Sequence, residues 1–261
     1  MTRRIGKAAI CALLALVLAG CATSRDSQAP GPDLLRVGIT PDYPPIIFKQ
    51  NEEIRGAEAD FALRLGQALN RQVRFVELPW DKQIPSLIEG TIDIIMSGMT
   101  VTEARRARIN FTDPYLKSGL VTLMRAGDAA KFLSLRDIQE GFVTVGVVSG
   151  TTGEAYVRKN FLNAANIISV RRASDAPYLL TNMRIDLFVN DAPSIVWLVS
   201  ENEGTLKGFW EPLTVDYLGW GIRGDDKGFL MEVNAALNTW KRDGALKEIL
   251  SRWLPSWKTF D

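Results

Sequence analysis

Hydrophobic and polar positions along this chain switch repeatedly between two periods. Residues 34–39 (LLRVGI), 72–78 (QVRFVEL) and 92–98 (IDIIMSG) are short apolar or alternating runs, the pattern of strands. Ala57 to Leu69 carries apolar residues at Ala57, Phe61, Leu63, Leu65 and Leu69, which predicts an amphipathic helix. Lys82 to Glu89 reads as a short helix before the third run. This β-α-β-α-β order predicts a mostly parallel sheet with helices on its faces, because parallel neighbours need a crossover.

The order then recurs. Residues 142–149 (FVTVGVVS), 166–170 (NIISV) and 185–190 (IDLFVN) read as strands. Thr151 to Phe161, Ser174 to Met183 and Ala192 to Val199 read as the helices that follow them. Two such units in one chain predict two similar lobes. The extended stretches 119–125 (GLVTLMR) and 213–223 (LTVDYLGWGIR) read as crossings between the lobes. Two helices, Lys227 to Arg242 and Ala245 to Trp253, end the pattern on either side of Asp243-Gly244.

The N-terminus follows a different logic. Residues 2–7 (TRRIGK) are basic, and Ala8 to Ala19 is an apolar run of twelve residues. A bilayer needs about 20, so the segment reads as a secretory signal. Leu18-Ala19-Gly20-Cys21 resembles a bacterial lipobox, which implies cleavage before Cys21 and a lipid on its thiol. The other cysteine, Cys11, falls in the discarded part. Residues 22–33 (ATSRDSQAPGPD) read as a flexible tether, reaching roughly 20 Å as a coil.

Composition narrows the chemistry. The 261 residues are 46% hydrophobic and 23% charged, which is globular and excludes a disordered chain. The net charge is +1; losing Arg3, Arg4 and Lys7 with the signal leaves 28 basic against 30 acidic side chains. Neither balance is a nucleic-acid footprint. There is no histidine, so Ser-His-Asp catalysis, Cys-His catalysis and histidine metal sites are excluded.

Five separated motifs stand in order: LRVGITPDYPPIIF (35–48), GAEADFALRLGQAL (56–69), IPSLIEGTIDIIMSGMTVTEARRARINFTDPY (84–115), VGVVSGTTGE (145–154) and RIDLFVNDAP (184–193). Together they resemble family 3 extracellular solute-binding proteins, the type that delivers amino acids to ABC importers. The resemblance implies an α/β two-lobed periplasmic-binding-protein fold, each lobe a mostly parallel sheet flanked by helices, joined by two hinge strands. It divides the chain into signal 1–20, tether 21–33, lobe 1 from 34–121 and 218–261, and lobe 2 from 122–217. It implies a monomeric, non-enzymatic, lipid-anchored extracytoplasmic protein that captures an α-amino acid by lobe closure. An ABC permease and the membrane are its implied partners, with no cofactor and no metal. Ala22 after the lipidated cysteine would direct the protein to the outer membrane of a two-membrane cell.

An α-amino acid needs a cationic site for its carboxylate and an acid for its ammonium. Arg105 stands five residues after Thr100 in the turn Ser97–Thr102, which also holds Gly98 and Met99. Planar guanidinium pairs both carboxylate oxygens, as Lys cannot. By spacing alone Arg105 could equally be a solvated helix residue; the resemblance makes it the carboxylate clamp. Thr151 and Thr152 open a helix, where hydroxyls and free N–H groups suit an anion. The resemblance makes them the second carboxylate contact; locally they read as a plain helix cap, and both roles can hold. Asp191 follows a strand and reads locally as an N-cap; the resemblance makes it the ammonium acceptor. Tyr43 and Trp80 are the aromatic candidates for the ligand side chain, while Asp186 reads as structural. The remaining tryptophans, at positions 197, 210, 220, 240, 253 and 257, read as packing or rim.

Two departures stand out. The family's usual Gly-Phe/Tyr-Asp-x-Asp reads Gly56-Ala57-Glu58-Ala59-Asp60 here. Thr40 stands where binders of basic amino acids often place an acid, which points to a polar or neutral ligand. Two alternatives remain at this level: a sensory or accessory lipoprotein, and an enzyme like cyclohexadienyl dehydratase using Glu58 or Asp191.

Overall fold

The computed structural model of this protein describes residues 33–255. The signal segment, Cys21, most of the tether and Trp257 lie outside the described residues. Strand β1 (Leu34–Ile39) buries Leu35, Val37 and Ile39. Three short strands, β2 (Asp42–Tyr43), β3 (Ile47–Gln50) and β4 (Glu53–Arg55), then form a small antiparallel sheet.

Helix α1 (Ala57–Ala68) starts at Gly56, whose φ of 121° favours glycine. A Cβ there would sit 2.4 Å from the Ile46 carbonyl oxygen. The buried stripe of α1 includes Ala57, Glu58, Phe61, Ala62 and Leu65, whereas Leu63 is 51% exposed. Two residues on from Phe61, Leu63 is turned about 200° away from it, so it leaves the apolar face.

β5 (Gln72–Glu77), α2 (Gln83–Ile88) and β6 (Ile94–Ile95) complete the first expected unit. The one-turn α3 (Glu103–Arg106), β7 (Asn110–Phe111) and β8 (Leu116–Ser118) follow. The second unit runs β9 (Leu120–Arg125), α4 (Leu135–Glu140), β10 (Thr144–Val148), α5 (Thr152–Asn160) and β11 (Asn166–Val170). It continues with α6 (Ala176–Thr181), β12 (Leu187–Asp191), α7 (Ala192–Ser200) and β13 (Leu206–Phe209). The chain returns through β14 (Asp216–Leu218) and β15 (Gly221–Ile222) to α8 (Lys227–Asp243) and α9 (Ala245–Trp253).

The first sheet has the order β5-β1-β6-β15-β7 and the second β11-β10-β12-β9-β13. In each, three neighbouring strands pair in parallel, one strand (β15 or β9) runs against them, and the edge strand beyond it (β7 or β13) runs with them again, so both sheets are mixed. The reason is connectivity: β9 enters the second sheet from the first, and β15 makes the reverse journey. The stretch Gly119–Arg125, read as a crossing, is therefore corrected. Its strand β9 is an interior member of the second sheet, between β12 and β13. The crossing ribbon lies just before it, where β8 pairs with β14 at Lys117↔Tyr217. Leu120 and Val121, expected in lobe 1, are strand residues of the second sheet.

The cores differ in kind. Under the first sheet Phe61 packs against Tyr115, Trp220 and Trp240 at centroid distances of 5.6, 5.6 and 6.1 Å. The second sheet is covered largely by aliphatics such as Val145, Val147, Val157, Leu187 and Val189. Asp186 is structural: it accepts from the Thr144 N–H at 2.9 Å and pairs with Arg125 at 2.9 Å.

Candidate functional site

One cleft lies at the carboxyl ends of all six parallel strands, the edge where open α/β sheets bind ligands. Its cavity is about 760 Å³. Of the residues expected there, Tyr43, Trp80, Gly98, Thr100, Arg105, Thr151, Thr152 and Asp191 all line it. Met99 does not. Its side chain is 2% exposed and packs in the cluster of Leu87, Ile92, Ile95, Ile109 and Phe111.

The first sheet supplies the guanidinium. α3 is capped by the Thr102 hydroxyl, which accepts from the Arg105 N–H at 3.2 Å. Arg105 Nη1 donates to the Thr100 carbonyl at 2.8 Å, and its Cζ lies 5.3 Å from the Trp80 ring centroid. Burial lowers its pKa, opposed by Asp191 and Asp216. Trp80 also bridges the cleft, donating from Nε1 to the Gly150 carbonyl at 3.0 Å. A second contact between the lobes is the tilted packing of Phe48 against Trp197 on α7, with ring centroids 5.5 Å apart.

Gly98 sits at φ 64°, and a Cβ there would meet the Tyr43 ring at 2.5 Å. Glycine thus lets the ring lie on the turn. The turn is held from beneath by fully buried Glu58, whose Oε2 accepts from the Gly98 N–H at 2.6 Å. Burial pushes the Glu58 carboxyl up to about 7, opposed by Tyr115, the Gly98 N–H and Trp220. No hydrogen bond of standard geometry reaches its Oε1. Thr40 is internally committed: its Oγ1 donates to the Leu78 carbonyl and accepts from Gln83, each at 2.9 Å.

The second sheet supplies the acid. Asp191 ends β12 and is 8% exposed. It stands at the N-cap position of α7 yet makes no side-chain cap. Burial first, then Asp216, pushes its carboxyl up to about 7, against Tyr43 and Arg105. Neither Tyr43 Oη nor Asp191 Oδ1 completes a hydrogen bond of standard geometry. Thr151, in contrast, is the cap of α5: its Oγ1 donates to the Val148 carbonyl at 2.7 Å and accepts from the Glu154 N–H at 3.3 Å. Glu154 takes the Gly150 N–H at 2.7 Å. The Thr152 and Gly153 N–H groups belong to the first turn, where no intrahelical acceptor exists.

Sequence reasoning passed over Asp42, Arg171, Arg172 and Asn190 on the cleft wall, and Asp216 behind it. The strand-end rule that flagged Asp191 could have found Asp42 and Arg172, which also follow strands.

Two α/β lobes flanking a polar cleft define the fold of periplasmic binding proteins. The comparisons agree. The solved structure of the ancestral amino acid-binding protein AncCDT-1, a precursor of cyclohexadienyl dehydratase, superposes with a TM-score of 0.79 at 32% identity, over 84% of this chain and 95% of that one. The L-cystine-binding protein TcyJ of Escherichia coli K12 is 27% identical over 84% of this chain and 82% of its own. The ABC transporter arginine-binding protein 1 of the same organism is 29% identical over 92% and 98%. The model of bacterial extracellular solute-binding proteins, family 3, matches residues 35–256, and the chain belongs to that family. These curated relatives are named as binding proteins, not as enzymes.

Proposed function

We propose that this protein is the amino-acid-capturing component of an ABC import system, held at a bacterial membrane by lipid on Cys21. The observation that carries the reading is Asp191, a buried carboxylate without a partner at Oδ1, sharing one cleft with Arg105. A zwitterion satisfies both: the guanidinium takes its carboxylate and Asp191 its ammonium. Relatives named for L-cystine and arginine support an amino acid and an ABC permease as partner, though they differ in side chain.

The ligand docks on the first lobe at Arg105, Thr100, Gly98, Tyr43 and Trp80. Flexing of the β8–β14 ribbon then brings Thr152, the α5 N-terminus capped by Thr151, and Asp191 onto it. Contacts made only in the closed state shift the population towards it. The permease reads that closed surface. The lipobox motif supports the anchor.

A thermal-shift screen of the twenty amino acids tests the reading, because a ligand specific to the folded, closed state raises stability. At least one should raise the melting temperature, and calorimetry should follow with micromolar affinity, about −8 kcal/mol. No shift with any of them sinks the proposal. For the anchor, Cys21→Ser should move the protein from the membrane to the soluble fraction.

A further inference from the structure

The lobes also touch outside the cleft. Phe48 on β3 packs against Trp197 on α7, and neither ring lines the cavity. Trp197 stands apart from its own lobe's core. Its helix feeds that core with Ala192, Ile195, Leu198 and Val199, and Trp197 lies outside the cluster. Helix geometry gives the reason: two residues on from Ile195, Trp197 is turned about 200° away from it. Phe48 lies outside the core cluster of the first lobe, yet it is only 7% exposed. It is flanked by Trp197 and by Trp253 on α9, whose ring meets it edge-on at 5.8 Å. Trp253 is itself braced. Its Nε1 donates to Asp60 at 2.8 Å, Asp60 pairs with Arg252 at 3.0 Å, and the Arg55 guanidinium lies 5.8 Å from its ring centroid. The first lobe thus presents a fixed apolar seat, and the second lobe supplies a single ring to fill it.

We propose that Phe48 and Trp197 form a latch for the closed form, a contact made on closure that strengthens binding of every ligand by one common factor and carries no specificity. This rests on the lobe-closure reading of the cleft. Parting the lobes would return both rings to water, and that hydrophobic cost falls on the open form alone. A contact present only in the closed form moves the open–closed balance towards it. Apparent affinity scales with the population of the competent form, so the latch multiplies all affinities alike. The other link across the lobes, Trp80 to the Gly150 carbonyl, lines the cavity and so can also touch the ligand. Phe48 and Trp197 act through the lobes only.

Calorimetry with L-cystine, L-arginine and L-glutamine tests this, together with small-angle scattering on the ligand-free protein. Trp197→Ala should weaken each amino acid that binds by the same factor, about five- to tenfold, and leave their order unchanged. Trp197→Phe keeps a ring at the contact and should restore most of the loss. Phe48→Leu reaches the same contact from the other lobe and should act alike. The double variant should lose no more than the larger single, because both changes remove one contact. Ligand-free Trp197→Ala should show a larger radius of gyration than the wild type. Trp197 is half-buried, and cooperative melting will show that each variant folds; if one does not, the other carries the test. Additive losses or a changed order of ligands overturn the latch. So does wild-type affinity combined with an unchanged radius. If none of the three amino acids binds the wild type, the amino-acid reading loses its support, and the scattering still decides the latch.

Discussion

The two lobes share one strand plan and put unlike chemistry at its open end. In the first, the cleft groups are already tied together: Arg105 donates to the Thr100 carbonyl, and Glu58 accepts from Gly98. A rigid aromatic cluster lies beneath them. In the second, the helix cap is satisfied but Asp191 has a buried oxygen with no partner. One lobe is organised before ligand arrives; the other holds a carboxylate whose burial costs free energy until a cation meets it. Identical topology therefore does not imply interchangeable roles. Both lobes leave buried polar atoms without a partner, Tyr43 Oη and Glu58 Oε1 in the first and Asp191 Oδ1 in the second; the difference is that Asp191 is a carboxylate on the cleft wall, whereas Glu58 lies beneath it.

That contrast can be broken at several points. Arg105→Ala should have the largest effect, weakening any bound α-amino acid about 100-fold, since charge-assisted hydrogen bonds contribute roughly 1.5–3 kcal/mol each. Calorimetry reads it, and a change under threefold would mean the first lobe is not the anchor.

Asp191→Asn should weaken binding at least tenfold while raising the melting temperature of the ligand-free protein at pH 8. The sign follows from its raised pKa, about 7 in the fold. An acid that is harder to ionise folded than unfolded destabilises the fold as pH rises through that interval. Removing the charge removes the penalty. A variant that melts lower at pH 8 contradicts the contrast.

The same group makes affinity depend on pH. The ligand ammonium favours the ionised carboxylate, so protonation of Asp191 competes with binding. With a pKa of about 7 in the ligand-free protein, affinity should be about tenfold weaker at pH 6 than at pH 8. Calorimetry in buffers of different ionisation heat should record proton release on binding at neutral pH. Binding that is flat from pH 6 to 8 excludes Asp191 as the ammonium acceptor.

Glu58 tests the organised side. Glu58→Ala leaves the buried Gly98 N–H without an acceptor and should cost about 1–3 kcal/mol of stability. Glu58→Gln keeps an oxygen for that N–H and removes the buried charge, so above pH 7 it should melt no lower than the wild type. The smallest effect belongs to Trp80→Phe, which retains a ring beside Arg105 but loses the donor to the Gly150 carbonyl. A few-fold loss of affinity, with dissociation faster and association unchanged, should appear in stopped-flow fluorescence.

Much of the fold was legible because its signals are local. The strand periods, the α1 start at Gly56 and the Thr151 cap all follow from residues within one turn or strand. The crossing strand was not. GLVTLMR is an apolar run that suits either sheet, and β9 is buried through most of its length, so periodicity cannot say which neighbours it pairs with. The 213–223 stretch likewise divides into β14 and β15, one for the ribbon and one for the sheet. In the site, Arg105, Asp191, Thr100, Tyr43 and Trp80 were selected by motif. Asp42 and Arg172 carry no local signal that they share a cleft, because different lobes bring them there.

By itself the sequence determined the order of the main strands and helices and the break at Asp243-Gly244, and it offered the Thr151 cap as one of two readings; its local reading of Asp191 as an N-cap is not what the fold makes of that residue. The order and the break depend on φ/ψ preference and hydrophobic period over a few residues. Only the tertiary structure decided that β9 and β15 change sheets, that Met99 turns into the core, and that Asp191 and Glu58 titrate near neutrality. Those outcomes depend on desolvation and on charges contributed by distant segments, which a linear pattern does not encode.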